Sequence, residues 1–592
     1  MAQRRVLLQT STGNPFSDNK ATNYADKRVL DEFCPISQFW SLFNDQHEVI
    51  LGSRGCGKTI MLRMMRYSML RKMEDPQAKK LVLQKDYIAF YVPLHLEYIK
   101  KLSACDLSMD ERIRWFCFFF NCLLAQSILV ELPEIIEDIC CGDDYAKIKL
   151  EYELSQSIGE IWQVQNAENL HQFLRLRDAA AKIFYNADPF NTNSDKLPTL
   201  FIHSLGAPLA AISPYICGKL NISPTWLLCV DEAEFLDECY QRCINSAFRS
   251  DTSHMAIKMA TLPYYYTTQE TLDGQIKVMN GQDFKYTVIA MDYSDRDFIN
   301  VTNTIVRTRM KSTGMGIERL DQFVETLGDD NYLAYYLEEF KNCNIQLSDI
   351  HTQILKQLSS HSREHNAKKT QDELKKAVFD KLAPIFYLRE VYKNRKGRHI
   401  PAWYAGASMV RRVSQGNPRI FIRIMNDLFW KASGQKLPLK LKAQHSTILK
   451  FAESFCEETE TLEKVGPEAK RNLDHIAKSI HDKTHKGSLT SVGLGFALAK
   501  NVDLETHLPW LEKAVAFSRL TVDRDSMVTK ISLNSEFELA YLYAVRYWLP
   551  MRPKPLSRLT LSGNGDGTYT LKTRGIRGQM SIFSKGIDDY AD

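Results

Sequence analysis

Net charge is nearly absent from this 592-residue sequence: 76 lysines and arginines face 71 acidic residues, a surplus of only five. A uniformly polybasic or polyacidic chain is excluded, and any nucleic-acid contact has to come from a local patch. Internal repeats and low-complexity tracts are also missing, which excludes solenoid and wholly disordered readings. The thirteen cysteines follow no regular spacing, and neither a Cys-x-x-Cys pair nor a His-rich set accompanies them. Structural zinc and a disulfide framework are therefore not expected, and reduced thiols in a cytoplasmic protein are. The opening Met1-Ala-Gln-Arg-Arg-Val lacks the apolar core of a secretory signal. The most apolar stretch, Trp115 to Val130, is shorter than the roughly 20 residues of a membrane span and is interrupted by Asn121, Gln126 and Ser127. It reads as a buried core helix, with no membrane partner expected.

What is present is ordinary globular composition, 44% hydrophobic and 25% charged, at a length that suggests about three to five domains. Short apolar runs at Val49–Leu51, Tyr87–Val92, Trp226–Val230, Met255–Met259 and Tyr286–Met291 alternate with helical patterns, one of them Ile60–Lys72. That alternation predicts an α/β fold, a parallel sheet with helices on both faces. The expected organisation is a lead segment over 1–35 and a sheet-bearing core over 36–296 with a helical insertion at about 93–224. A helical region at 297–436, an α+β region at 437–556 and a basic Gly-rich tail at 557–592 follow.

One motif carries chemistry. Gly52-Ser53-Arg54-Gly55-Cys56-Gly57-Lys58-Thr59 matches G-x-x-x-x-G-K-[ST] at every fixed position, after a strand and at the start of a helix beginning near Ile60. Glycines let backbone N–H groups curl around phosphates, and the helix N-terminus adds positive potential. Lys58 is expected on the β- and γ-phosphates of ATP and the Thr59 hydroxyl on Mg²⁺. The buried-strand pattern Trp226–Val230 runs into Asp231-Glu232. Asp231 is expected to anchor Mg²⁺, and Glu232 to orient and deprotonate the attacking water. At the end of the next run, Thr261 is a polar group able to contact the γ-phosphate or that water. Gly416-Asn417-Pro418-Arg419 opens a helix whose arginine can reach a bound triphosphate.

This order of P-loop, acidic strand, polar strand end, helical lid and Gly-x-x-Arg helix, over roughly residues 14 to 430, resembles an AAA+ ATPase. It is most similar to the origin-recognition and helicase-loader branch with its bacterial and archaeal STAND-type relatives. The resemblance implies a P-loop NTPase core with a helical lid and a C-terminal winged-helix-like domain. It also implies ATP hydrolysis with Mg²⁺, Arg419 as a second sensor, and Asn14, Pro15 and Phe16 beside the adenine. A protein partner or homo-oligomer, and a role in DNA transactions or anti-phage defence, are further implications. Such ring-forming relatives place an arginine finger after the first sensor, yet between Thr261 and Val288 this sequence offers only Lys277 and Lys285, with Arg242 and Arg249 upstream. The expected enzyme is therefore a slow ATPase. The alternative is an ATP-bound regulatory switch with little turnover that recruits a protein partner.

The C-terminal region shows helical patterns at Pro467–His485 and Leu504–Phe517. Two short runs, Leu520–Val522 and Val528–Leu533, then flank Asp523-Arg-Asp-Ser526, a hairpin signal, and a helix is expected over Glu536–Trp548. The second helix carries Glu505, Glu512 and Lys513 and so has no basic face. Candidate contacts to double-stranded DNA are Lys393, Arg395, Lys396 and Arg398, with Arg524, Arg574 and Arg577 further on. A protein-docking wing is the rival reading.

Overall fold

A computed structural model describes residues 13–163, 199–250, 254–326, 385–395, 402–486, 493–498, 503–551, 558–563 and 569–574. It divides into two units. One holds Lys20–Gly52 and Gly57–Ile289; the other holds Met1–Asn19, Ser53–Cys56 and Ala290–Asp592.

The first unit is built on strands β1 (Glu48–Leu51), β2 (Tyr87–Pro93), β3 (Thr225–Asp231), β4 (Met255–Thr261) and β5 (Lys285–Val288). They form a parallel sheet in the order β2-β3-β4-β1-β5. All four residues of β1 and the last six of β3 and β4 are buried, which is why these segments read as continuous apolar runs and not as alternating ones. Phe90 stacks on Trp226 at 5.6 Å between ring centres, tying β2 to β3.

The α/β expectation holds, while several local readings change. The helix expected over Ile60–Lys72 is two pieces, Lys58–Met64 and Tyr67–Leu70. Arg66 between them is extended, because its guanidinium pairs with Asp26 and its Nε donates to Arg63 O. Glu131 then accepts from Ser68 N at 2.7 Å and starts the second piece. The apolar stretch at Trp115–Val130 belongs to a 32-residue helix, Met109–Cys140, capped by Ser108 and Glu111. It is long and apolar enough to cross a membrane, but 78% of its most apolar window is buried inside the fold.

At the starting edge of the sheet lies a fully buried ion pair, Lys258 Nζ to Glu48 Oε1 at 2.9 Å. Asn44 and Gln46 O complete the ammonium, and Thr287 donates to Glu48, so β5, β1 and β4 are locked in register. Removing Lys258 leaves the buried Glu48 with only the part-exposed Lys285, 3.5 Å away, as counter-charge, and breaking a buried pair is typically worth about 3–5 kcal/mol. Lys258→Met is expected to lower the unfolding free energy by about that amount in chemical denaturation, and Glu48→Leu added to it to restore most of the loss. A single variant as stable as the wild type would contradict the argument.

The second unit contains the helices Arg296–Lys311, Ala407–Val413, Pro418–Ala432, Leu441–Glu457 and Gly466–His485. Its sheet runs β10-β9-β6-β8-β7 from β6 (Gly495–Leu498), β7 (Leu520–Val522), β8 (Glu536–Leu539), β9 (Arg558–Gly563) and β10 (Tyr569–Arg574). Here too the sequence reading is corrected. Asp523 does not make a hairpin tip: its carboxylate accepts from Ser526 N at 2.9 Å and caps a short helix, Arg524–Val528. The returning strand is β8, antiparallel to β7, and the following helix starts only at Tyr541. The described part of the tail is not a free basic segment, since β9 pairs with β6 and β10 with β9. Leu439 exchanges backbone hydrogen bonds with Phe323 and Glu325.

Glu538 on β8 is half-buried, and its Oε1 is a buried atom with no hydrogen-bond partner. Burial pushes its pKa from 4.5 to about 8, against the pull of Tyr541 and Arg412. The folded pKa is raised, so the folded state binds the extra proton. Stability is highest below the ordinary carboxylate range and falls as pH rises through about 8. At about 1.36 kcal/mol per unit the loss reaches about 3–5 kcal/mol. Glu538→Gln is expected to flatten this decline between about pH 5 and 8 in urea titrations; an unchanged pH slope would exclude Glu538 as its source.

Candidate nucleotide site

In the first unit the glycine-rich segment leaves the C-terminal end of β1 and enters the helix at Lys58. Gly57, at φ 108°, supplies the left-handed turn that precedes it. Lys58 is buried and its Nζ donates to Gly52 O at 2.5 Å, folding the ammonium back over the loop. The neighbouring Thr59 hydroxyl hydrogen-bonds the Asp231 carboxylate, so the two residues expected on Mg²⁺ meet directly. Asp231 is 2% exposed. Burial pushes its carboxyl pKa up; the Tyr91 and Thr59 hydroxyls, the Glu232 N–H and the Lys58 charge all pull it back. A hydroxyl and a nearly dry carboxylate side by side are the hard oxygen donors that Mg²⁺ takes.

Glu232 follows at φ 61°, a left-handed conformation uncommon for a side chain of this size, with its N–H held by Asp231 Oδ1 at 2.9 Å. Because β4 lies between β1 and β3, Thr261 falls opposite Leu51, the last residue before the loop. The Thr261 hydroxyl is buried with no hydrogen-bond partner, an arrangement that costs about 1–3 kcal/mol unless a ligand satisfies it. Arg242 and Arg249 are paired with Glu270 and Asp283.

Sequence reasoning misses Tyr91. Its hydroxyl donates to Asp231 Oδ2 at 2.8 Å from the neighbouring strand. Nothing in the sequence marks it, since the contact arises only from the β2–β3 pairing. Groups that orient a metal ligand are typically worth 10–100-fold in metal affinity. Tyr91→Phe is expected to raise the Mg²⁺ concentration for half-maximal nucleotide turnover by about 10-fold while leaving metal-free nucleotide binding unchanged. An unmoved Mg²⁺ dependence would limit Tyr91 to packing.

The second unit contains the tip of the loop, Ser53–Cys56, together with the helix Pro418–Ala432. Asn417 caps that helix, its Oδ1 accepting from Arg419 N and Ile420 N, with Pro418 at the first helical position. Its Nδ2 is shared between Arg54 O at 2.9 Å and Ser518 Oγ at 3.1 Å. The Arg54 N–H goes to Ala516 O at 2.8 Å. Gly55 has to be glycine here, because a Cβ would stand 2.5 Å from Arg419 Cβ. Gly416 is equally constrained: a Cβ there would meet Met291 O at 1.8 Å. Arg419 donates from Nε to Asn19 O at 3.3 Å.

Asn14 donates to Asn426, and Phe16 is fully buried 6.1 Å from Phe429, with Pro15 O and Asp18 O accepting from Arg309. Of the DNA candidates, Lys393 pairs with Glu390, Arg395 lies 3.7 Å over Tyr392, and Arg524 donates to Ala290 O. Arg574 is on β10; Lys396, Arg398 and Arg577 lie outside the described residues.

A phosphate-cradling loop after β1, an acidic strand two places away and a third strand between them ending in a buried, unsatisfied hydroxyl define a P-loop nucleotide-binding protein. The chain belongs to the ORC-CDC6-like family, whose model matches residues 14–558, and is thus an AAA+ protein of the origin-recognition type. No curated protein matches it.

Proposed function

We propose that the protein binds and hydrolyses ATP with Mg²⁺ and couples its nucleotide state to the arrangement of its C-terminal region. In this reading the loop amides and Lys58 hold the phosphates, and Thr59 and Asp231 hold Mg²⁺, which would neutralise phosphate charge when bound. Glu232 takes the proton of the attacking water, Thr261 positions that water or the γ-phosphate, and Arg419 senses the triphosphate from the lid. Asn14, Pro15 and Phe16 form the adenine side. The observation that carries the coupling is the pair of hydrogen bonds that Asn417 Nδ2 donates to Arg54 O and Ser518 Oγ, seconded by Arg54 N–H to Ala516 O. A change at the loop tip on nucleotide binding therefore alters contacts that one C-terminal arrangement makes and another does not, which is what a population shift requires.

Double-stranded DNA is the proposed partner of the C-terminal region, whose order of strand, helix, strand and returning strand around β6 to β8 is winged-helix-like. Steady-state phosphate release with and without duplex DNA, with Glu232→Gln as the blank, tests it. DNA-stimulated turnover supports a DNA-coupled ATPase in DNA transactions or anti-phage defence. Tight ATP binding with negligible turnover, unmoved by DNA, favours a regulatory switch acting through a protein partner. The pairing of Arg242 and Arg249 within their own unit favours that second reading, because neither is poised as a finger.

A further inference from the structure

The helix Asp144–Ile161 of the first unit is half core and half surface. Leu154, Ser155, Ile158 and Gly159 in its second half are buried, whereas no residue from Asp144 to Glu153 is. The first half is held as helix by other means. Asp143 caps it, accepting from Ala146 N at 3.0 Å, and Lys147 pairs with Glu137 on the preceding helix, Met109–Cys140. A half that stands off the core has no apolar face to bury within its own fold, yet this one carries Tyr145, Ile148 and Tyr152. Spaced three and four residues apart, they form one stripe, exposed by 79%, 67% and 54%. The exposed Tyr215 adds to it: it stands one turn before Lys219 on the helix Ala207–Leu220, and Lys219 Nζ meets Glu153 at 2.7 Å. Large apolar and tyrosine side chains gathered on one surface and rimmed by charge mark a contact with another protein.

The charges beside the stripe say which protein. Lys147-Ile148-Lys149 precede Leu150, and Glu151-Tyr152-Glu153 follow it. Reversing these seven positions puts a glutamate for each lysine, a lysine for each glutamate and a large side chain for Ile148 and Tyr152. A second copy of the helix lying antiparallel, the two Leu150 residues level, therefore sets the basic half of each helix over the acidic half of the other. Ile148 then stands beside Tyr152 of the partner subunit. A two-fold contact demands this self-complementarity, with residue i facing j while j faces i. An unrelated partner would have to complement the stripe, but nothing would make the stripe complement itself. The parallel arrangement puts lysine against lysine and is disfavoured by the same charges.

We propose that this face is the contact of a homodimer, formed by antiparallel pairing of the helix Asp144–Ile161 with the same helix of a second copy. Lys147 and Glu153 also bond within their own chain, to Glu137 and Lys219, so Lys149 and Glu151 are the charges to change in testing it.

Sedimentation of the full chain without nucleotide, over a wide range of concentration, is expected to show a monomer–dimer equilibrium. Ile148→Asp is expected to weaken it by about 100-fold, the scale of a central anchor. Lys149→Glu and Glu151→Lys are each expected to weaken self-association by about 10-fold, because each sets like charges where unlike ones met. Mixing these two variants is expected to bring the dimer back, since the acidic half of one then meets the basic half of the other, and misfolded chains would not recover on mixing. A monomer at every concentration, a dimer indifferent to Ile148→Asp, or charge variants that fail to pair when mixed would overturn the proposal.

Discussion

Lys58→Ala is expected to weaken ATP binding by about 100-fold and to abolish the rise in thermal midpoint that ATP gives the wild type. A hydrogen-bonded charge of this kind is worth about 1.5–3 kcal/mol, and the Lys58 ammonium is the buried cation of the loop, folded onto Gly52 O. Once a triphosphate is present, that ammonium exchanges a neutral carbonyl for an anion, so its contribution is much larger with ligand than without. The fold itself should scarcely register the change, because only one carbonyl loses a partner. Calorimetric titration with ATP and a thermal scan at saturating ATP read the two effects separately. Tight ATP retention by the variant would remove Lys58 from the phosphates.

The second large effect is on turnover. Glu232→Gln is expected to keep ATP affinity within a few fold of the wild type and to lower steady-state phosphate release by about 100- to 1,000-fold, the usual weight of a general base. The amide is isosteric with the carboxylate and keeps the backbone N–H bond to Asp231 Oδ1, so the left-handed turn at φ 61° survives. What disappears is the capacity to accept a proton. Since Asp231, next to it, is engaged by Tyr91 and Thr59, it offers no substitute base. Phosphate release at the wild-type rate would take Glu232 out of the chemistry and leave its strained backbone without a catalytic reason.

Lys58 and Glu232 are legible in the sequence because their signals are local. The loop needs glycines, a lysine and a hydroxyl at fixed offsets along the chain, and a strand buried on both faces announces itself as an unbroken apolar run such as Trp226–Val230. Asn417-Pro418 is equally local, being a cap and a first-turn proline. Sequence patterns mislead where a side chain acts at long range. Asp523 and Ser526 look like hairpin residues, but whether a carboxylate caps a helix or turns a strand depends on where the returning strand pairs, and β7 pairs with Glu536–Leu539. The break after Met64 leaves no local trace because Glu131 and Asp26, far away in sequence, hold Ser68 and Arg66.

By itself, then, the sequence determined the class of chemistry: a phosphate loop, an acidic strand and an α/β sheet to hold them, all consequences of spacing along one stretch of chain. Only the tertiary structure decided that β4 stands between β1 and β3, bringing Thr261 level with the loop as a buried hydroxyl without a partner. It alone set Tyr91 on Asp231 and joined the loop tip to Asn417 and Ala516. Strand order and convergence of this kind are fixed by pairing and packing between segments tens to hundreds of residues apart, where no local periodicity records them.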